Sequence, residues 1–205
     1  MSGSAEMLIL GFLVGLTGAL SPGPMLVAAI NASMKEGWAA GPKVALGHLA
    51  VEFLIIVLIT AGLYGALAGY SSLIAGFGGI ALIVFGALVV LESRQAQIDA
   101  TQNVGNQSTP FIAGSVTSVG NPYFWIWWLT VGSPLLIGAL QGGLMVMIAF
   151  IAGHWSATLG WYTLVSASIH RGRFFLSTRE YRIVLASCGI FLVVFGVYYV
   201  STVIS

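Results

Sequence analysis

The stretch Val44–Leu67, VALGHLAVEFLIIVLITAGLYGAL, decides the fold. It is apolar over a length that crosses a bilayer, for which a helix needs about 20 residues. Yet it carries Glu52 in its interior and the pair Gly47-His48 one helical turn earlier. An ionisable side chain at membrane depth costs about 2.5–3.5 kcal/mol on insertion scales and is retained where it has a task. The Gly-His pair recurs as Gly153-His154 in the second half of the chain. A polar feature repeated in two halves points to a transport site, because many secondary transporters build their sites where repeats meet.

The composition extends this reading to the whole chain. Of 205 residues, 58% are hydrophobic and 6% charged, and the mean hydropathy is +0.99; a soluble domain typically carries about 25% charged residues. The sequence therefore predicts an all-α polytopic membrane protein. Apolar runs at 7–31, 44–69, 72–91, 111–137, 142–168 and 182–204 give six spans. The first follows Met1-Ser2-Gly3-Ser4-Ala5-Glu6, which lacks the basic segment of a cleavable signal, so it is read as a retained span.

The seven basic residues set the orientation. Lys35 and Lys43 lie between the first and second spans, Arg94 between the third and fourth, and Arg171, Arg173, Arg179 and Arg182 between the fifth and sixth. All three loops share one side, which the positive-inside rule makes cytoplasmic, with both termini outside. A net charge of +1 and a basic patch confined to loops give no support for a nucleic-acid partner. The expected partners are a small-molecule substrate, protons and the lipid bilayer. Glycine-rich faces permit a homo-oligomer without demanding one.

The polar segment 93–110 divides the chain into a first three-helix repeat, 1–92, and a second, 111–205, within a single transmembrane domain. Each half opens with a Gly/Ser-rich span broken by proline: Ser21-Pro22-Gly23-Pro24 in the first and Gly120-Asn121-Pro122 in the second. Each then presents Gly-His early in its second span. A duplicated unit of an odd number of spans re-enters the bilayer in the opposite sense, so the expectation is an inverted repeat. The glycine spacings Gly11/Gly15, Gly65/Gly69 and Gly79/Gly86 read as close helix packing.

The breaks are candidate substrate positions. Proline in a helix interior removes an N–H and clashes with the preceding turn; irregular backbone at membrane depth survives only within protein or along a wet cavity. The half-helix that follows offers N–H groups and a positive dipole end, which suit a carboxylate. Ser21, Pro22, Gly23, Pro24, Asn121 and Pro122 are the candidates, with Tyr123 beside the second break and Trp161 seven residues after His154. For proton coupling the candidates are Glu52, His48 and His154. His48 and Glu52 stand four residues apart and share a helix face, where an imidazole can exchange a proton with a carboxylate. The alternative for Glu52 is a structural carboxyl held by a backbone partner. Thr158 stands four residues after His154, so the second half has a hydroxyl where the first has an acid. No Lys or Arg lies in the interior of any span, which disfavours a doubly anionic substrate. Trp125, Trp127, Trp128, Trp155, Trp161 and Tyr162 are read chiefly as interface anchors, their usual role, with substrate-pocket walls as the alternative. Cys188, the single cysteine, is read as a packed thiol.

Ser21-Pro22-Gly23-Pro24, Asn121-Pro122, glycines 37, 41 and 47, six spans and a short chain together resemble the lysine exporter (LysE/RhtB) translocators. The Gly-His pairs in spans 2 and 5 are similar to a prokaryotic branch of that family. The resemblance implies a proton-driven exporter of amino acids or related small metabolites in the inner membrane, not an enzyme and without a cofactor. It carries over Pro22, Gly23, Pro24, Asn121 and Pro122 as motif positions. The chain departs from it at Tyr123, where many members have Lys, and at Thr158, where an acidic residue is frequent in the similar branch.

The alternative is a divalent transition-metal exporter using the membrane-depth His and Glu side chains as ligands, although no metal site is expected from one Glu and a remote Cys188. A thiol electron carrier with one cysteine per half is excluded by the single Cys188. Haem held between His48 and His154 is the remaining redox reading.

Overall fold

A computed structural model describes residues 3–21, 23–62, 71–94, 109–172 and 178–204, and these form helices and turns without a strand. Pro22, the pair Gly65/Gly69, Arg173 and most of the expected linker lie outside the described residues.

Helix α1 spans Ser4–Ala19, with Glu6 reaching back to the Gly3 N–H at its start. The chain then turns at Leu20 and Ser21, and Gly23 in extended backbone caps α2, Pro24–Glu36. The two helices are bent by 81°. The expected break is present, but it follows a helix of 16 residues, about 24 Å long at 1.5 Å per residue. Most of a span's length therefore precedes it. Gly37 ends α2 at φ +84, a conformation that costs glycine little.

Helix α3, Ala40–Thr60, starts earlier and ends earlier than the expected run 44–69. Pro42 is tolerated in its first turn, where its missing N–H has no acceptor to satisfy, and Gly62 at φ +86 stops it. Helix α4 runs Ser71–Ser93. Helix α5, Pro110–Val119, is capped by the Thr109 hydroxyl, which accepts from the Ile112 N–H at 3.4 Å. These two helices take the end residues of the expected linker 93–110.

The second break falls at Gly120 and Asn121, where the Asn121 side chain accepts from the Tyr123 N–H at 3.1 Å and starts α6, Pro122–Trp127. A π-helical turn, Trp128–Gly132, leads into α7, Ser133–Gln141. Pro134 has no N–H to give the Thr130 carbonyl, and a widened turn at such a point relieves the ladder. Gly143 at φ +109 makes the turn into α8, Leu144–Gly172, which therefore begins after the expected 142. Helix α9 is Thr178–Ile204.

Among the described residues, α3, the segment Tyr123–Gln141 and α8 are long and apolar enough to cross a membrane, and the bent pair α1–α2 makes a fourth. Helices α4 and α9 stand at the expected third and sixth spans and pack along each other.

Glycine sets how closely the helices approach. A Cβ on Gly11 of α1 would overlap the Phe150 carbonyl of α8, and one on Gly153 would overlap the Leu8 carbonyl in return. The same exchange joins α3 and α5, with Gly47 against the Phe111 carbonyl and Gly114 against that of Val44. Between α4 and α9, Gly79 faces Gly196 and Gly86 faces Gly189, each against the other's carbonyl. Small residues let membrane helices come this close and gain dispersion contacts along their length. The result places α3 against both α5 and α8, α1 along α8, and α2 against α3, α5 and α8. The Ile55, Ile56 and Ile59 side chains of α3 fill the core with Phe124, Trp127, Trp128, Leu136 and Phe150, while Phe53, Leu54 and Val57 face outward.

Candidate functional site

Glu52 lies on the buried stripe of α3, one turn before Ile55 and Ile56, and is 2% exposed. Its Oε1 is the meeting point of three rings. His48 Nε2, one turn earlier on the same helix, is 3.1 Å away; His154 Nε2, from α8, is 2.9 Å away. The Trp128 indole N–H donates to the same oxygen at 3.3 Å. Its other oxygen, Oε2, is buried without a hydrogen-bond partner in the protein. Buried charge needs such pairing, because removing one partner leaves a desolvated ion.

The second nitrogen of each imidazole has a different environment. His48 Nδ1 meets the Ser118 hydroxyl of α5 at 2.7 Å, and Ser118 in turn donates to the Gly114 carbonyl at 2.6 Å. His154 Nδ1 is buried without a partner and abuts Gly15 of α1. The His154 ring stacks on Trp127, with centroids 4.9 Å apart, and meets the edge of Trp128. His48 contacts Phe124 edge-on.

These groups open onto a cleft of about 550 Å³, its mouth included. Both helix breaks border it: Ser21 and Gly23 from the first, Asn121 and Tyr123 from the second. A Cβ on Gly23 would lie 3.4 Å from Asn121 Nδ2, so the breaks of the two halves face each other. Thr158, Tyr162 and Met25 complete much of the wall, and among the described residues no Lys or Arg lines it.

Of the residues singled out from the sequence, the structure gathers Ser21, Gly23, Asn121, Tyr123, His48, Glu52 and His154 on this cleft. Pro24 and Pro122 start α2 and α6 beside it. Trp161 is not on the wall; it packs with Met25, Ala29, Val44 and Ala45, and its neighbour Tyr162 faces the cleft instead. One residue along a helix turns the side chain by about 100°, which separates the two. Trp127 and Trp128, read as interface anchors, are buried against His154, and Trp128 against Glu52 as well. A sequence signal existed for one of them: Asn121, Phe124 and Trp128 recur at helical spacing after the break. Ser118 carried no such signal. Among the described residues, no group of three or more His, Cys, Asp or Glu side chains is placed to hold a metal ion.

Long apolar helices around an internal cleft lined by a buried carboxylate and two imidazoles define a polytopic membrane protein with a polar interior site. The profile of the LysE type translocator family matches residues 16–202, nearly the entire chain. The chain belongs to that family of membrane translocators of small molecules. Among curated proteins and solved structures, none matches it.

Proposed function

We propose that the protein is a secondary-active exporter of amino acids or closely related metabolites, coupled to protons and working by alternating access around this cleft. The observation that carries the reading is Glu52 Oε2, a buried acceptor at the cleft wall with no partner in the protein. A protonated amine satisfies it with a charge-assisted hydrogen bond. The first turn of α2, opened at Gly23, offers the Met25 N–H and a positive dipole end to the solute's carboxylate, since Pro24 has no N–H and those of Leu26 and Val27 donate to the Gly23 carbonyl. Tyr123, Phe124, Trp127 and Tyr162 receive an apolar side chain. A second cationic group would find no second acid among the lining residues, so the favoured solute is a zwitterion with one amine.

The reciprocal glycine contacts support two inverted three-helix halves: exchanging the halves turns the α1–α8 contact into the α5–α3 contact and returns α4–α9 to itself. Transporters of that build rock one half against the other around a midplane site. The loop charges support an orientation with the basic loops in the cytoplasm of a prokaryotic cell and both termini outside. The coupled proton is handled within the group that Glu52, His48 and His154 form.

The test is reconstitution into liposomes and counterflow of a panel of labelled amino acids, with and without an imposed pH gradient. Saturable flux accelerated by the gradient is expected. Absence of flux for every amino acid, in protein shown to be folded, overturns the reading in favour of a divalent cation; His48→Asn and His154→Asn would then abolish metal resistance in cells.

A further inference from the structure

We propose that the two histidines divide the work: His48 carries the exchangeable proton, Ser118 is a positioning residue that sets its tautomer, and His154 is a fixed neutral donor to Glu52.

The argument is an account of protons. The Gly114 carbonyl can only accept, so the bond from Ser118 Oγ at 2.6 Å uses the single hydroxyl proton of Ser118. The Ser118 oxygen is then an acceptor, and His48 Nδ1 at 2.7 Å must donate to it. A neutral His48 in that tautomer has a bare Nε2, yet Nε2 lies 3.1 Å from Glu52 Oε1. An ionised carboxylate oxygen only accepts. The contact therefore holds only when one more proton lies between these two atoms.

His154 has the opposite constraint. Its Nε2–H donates to Oε1 at 2.9 Å, and its Nδ1 is buried against the Gly15 backbone with no acceptor. A lone pair is tolerated there; a second N–H would be a buried donor left unsatisfied. Gly15 stands against His154 Nδ1 where Ser118 stands against His48 Nδ1, so the two halves differ at the one position that decides the tautomer. His48 is also the more open ring, its side chain 15% exposed against 5% for His154.

The titratable groups facing His48 are Glu52 from its own helix and His154 from α8; Ser118 of α5 and Phe124 of α6 are the other neighbours, and Tyr123 and Tyr162 are the remaining ionisable side chains on the cleft. The role in coupling rests on the transport reading above. When the proton leaves His48 Nε2 for cleft water, a lone pair faces Oε1 and Glu52 keeps an uncompensated charge. An amine arriving at Oε2 neutralises it. Proton and amine thus alternate on one carboxylate.

The test is ¹⁵N NMR of the full chain labelled at histidine, followed across pH in lipid nanodiscs, with His170→Gln and single His48→Gln and His154→Gln variants for assignment. It needs no substrate, so its failure is separable from failure of the flux assay. Expected is a His48 signal with Nδ1 protonated throughout and Nε2 alone titrating, beside a His154 signal that stays neutral with its proton on Nε2. Ser118→Ala should release His48 into a mixture with the Nε2–H tautomer and shift its titration; Ser118→Thr should restore both. A bare His48 Nδ1 in the wild-type protein, or titration of His154 in place of His48, overturns the proposal without reference to any variant.

Discussion

His154 and Glu52 are separated by 102 residues in the chain and by 2.9 Å in the structure. The contact joins α8 in the second half of the chain to α3 in the first, two helices that meet closely at Gly41, where a Cβ would overlap the Tyr162 carbonyl. Gly11 and Gly153 seat α8 on α1, while Gly47 and Gly114 seat α3 on α5. A carboxylate from one half is thereby held by an imidazole from the other, which makes the relative position of the halves and the state of Glu52 interdependent.

Glu52→Gln preserves shape and removes the charge. The amide keeps one acceptor for the His154 and Trp128 donors, so the protein is expected to fold. It loses the ionic acceptor for an amine, which at about 1.5–3 kcal/mol for a charged hydrogen bond corresponds to roughly 10- to 150-fold weaker apparent affinity. Counterflow at raised solute concentration should persist, while the response to an imposed pH gradient disappears. Full gradient-driven transport by this variant would count against the proton role.

Gly47→Ala and Gly153→Ala insert a methyl group into a backbone carbonyl of the facing helix. Overpacking of this kind costs about 1–3 kcal/mol, and a lowered melting temperature in detergent is the expected readout. Gly160→Ala is the control, because a Cβ there meets nothing within 4 Å; its melting temperature should match the wild type or exceed it slightly. Equal effects at all three positions would show that packing depth is not what these glycines provide.

Ser166 ties α8 to the start of α3 by accepting from the Gly41 N–H at 2.9 Å, and its hydroxyl meets that of Ser33 on α2. Alternating access requires such a joint to open. Ser33→Cys with Ser166→Cys, in a Cys188→Ser background, should cross-link under oxidation and arrest transport, with recovery on reduction. Undiminished transport by fully cross-linked protein would show that α2 and α8 do not part.

Asn121 has two tasks that substitution separates. Its side chain caps α6 and faces Gly23 across the cleft. Asn121→Ala should lower stability by about 1 kcal/mol through loss of the cap. Asn121→Ser keeps a capping oxygen but shortens the reach, so its melting temperature should stay near wild type while transport falls in both variants. Wild-type transport by Asn121→Ser would remove Asn121 from the solute path.

Much of this was legible in the residues. The breaks at Gly23 and Asn121, the shared face of His48 and Glu52, and the packing role of Gly11, Gly79 and Gly86 all follow from rules acting within one or two helical turns. The errors have a common form. Trp127 and Trp128 looked like interface anchors, and Trp161 looked like a pocket residue, because composition identifies an aromatic group without giving its azimuth on a bent helix. For Trp127 and Trp128 the break before α6 and the π turn at Trp128–Gly132 redirect that azimuth, and for Trp161 a single residue's rotation along α8 decides it.

By itself the sequence determined that the chain is helical and bilayer-bound, where its helices break, and that an acid and an imidazole share a face of the second span. Hydropathy and helical periodicity are properties of neighbouring residues, so they are readable in one dimension. Only the tertiary structure decided that His154, Trp128 and Ser118 complete the site around Glu52 and His48. Those partners arrive on other helices, and their distances are set by how deeply glycine lets each pair of helices approach.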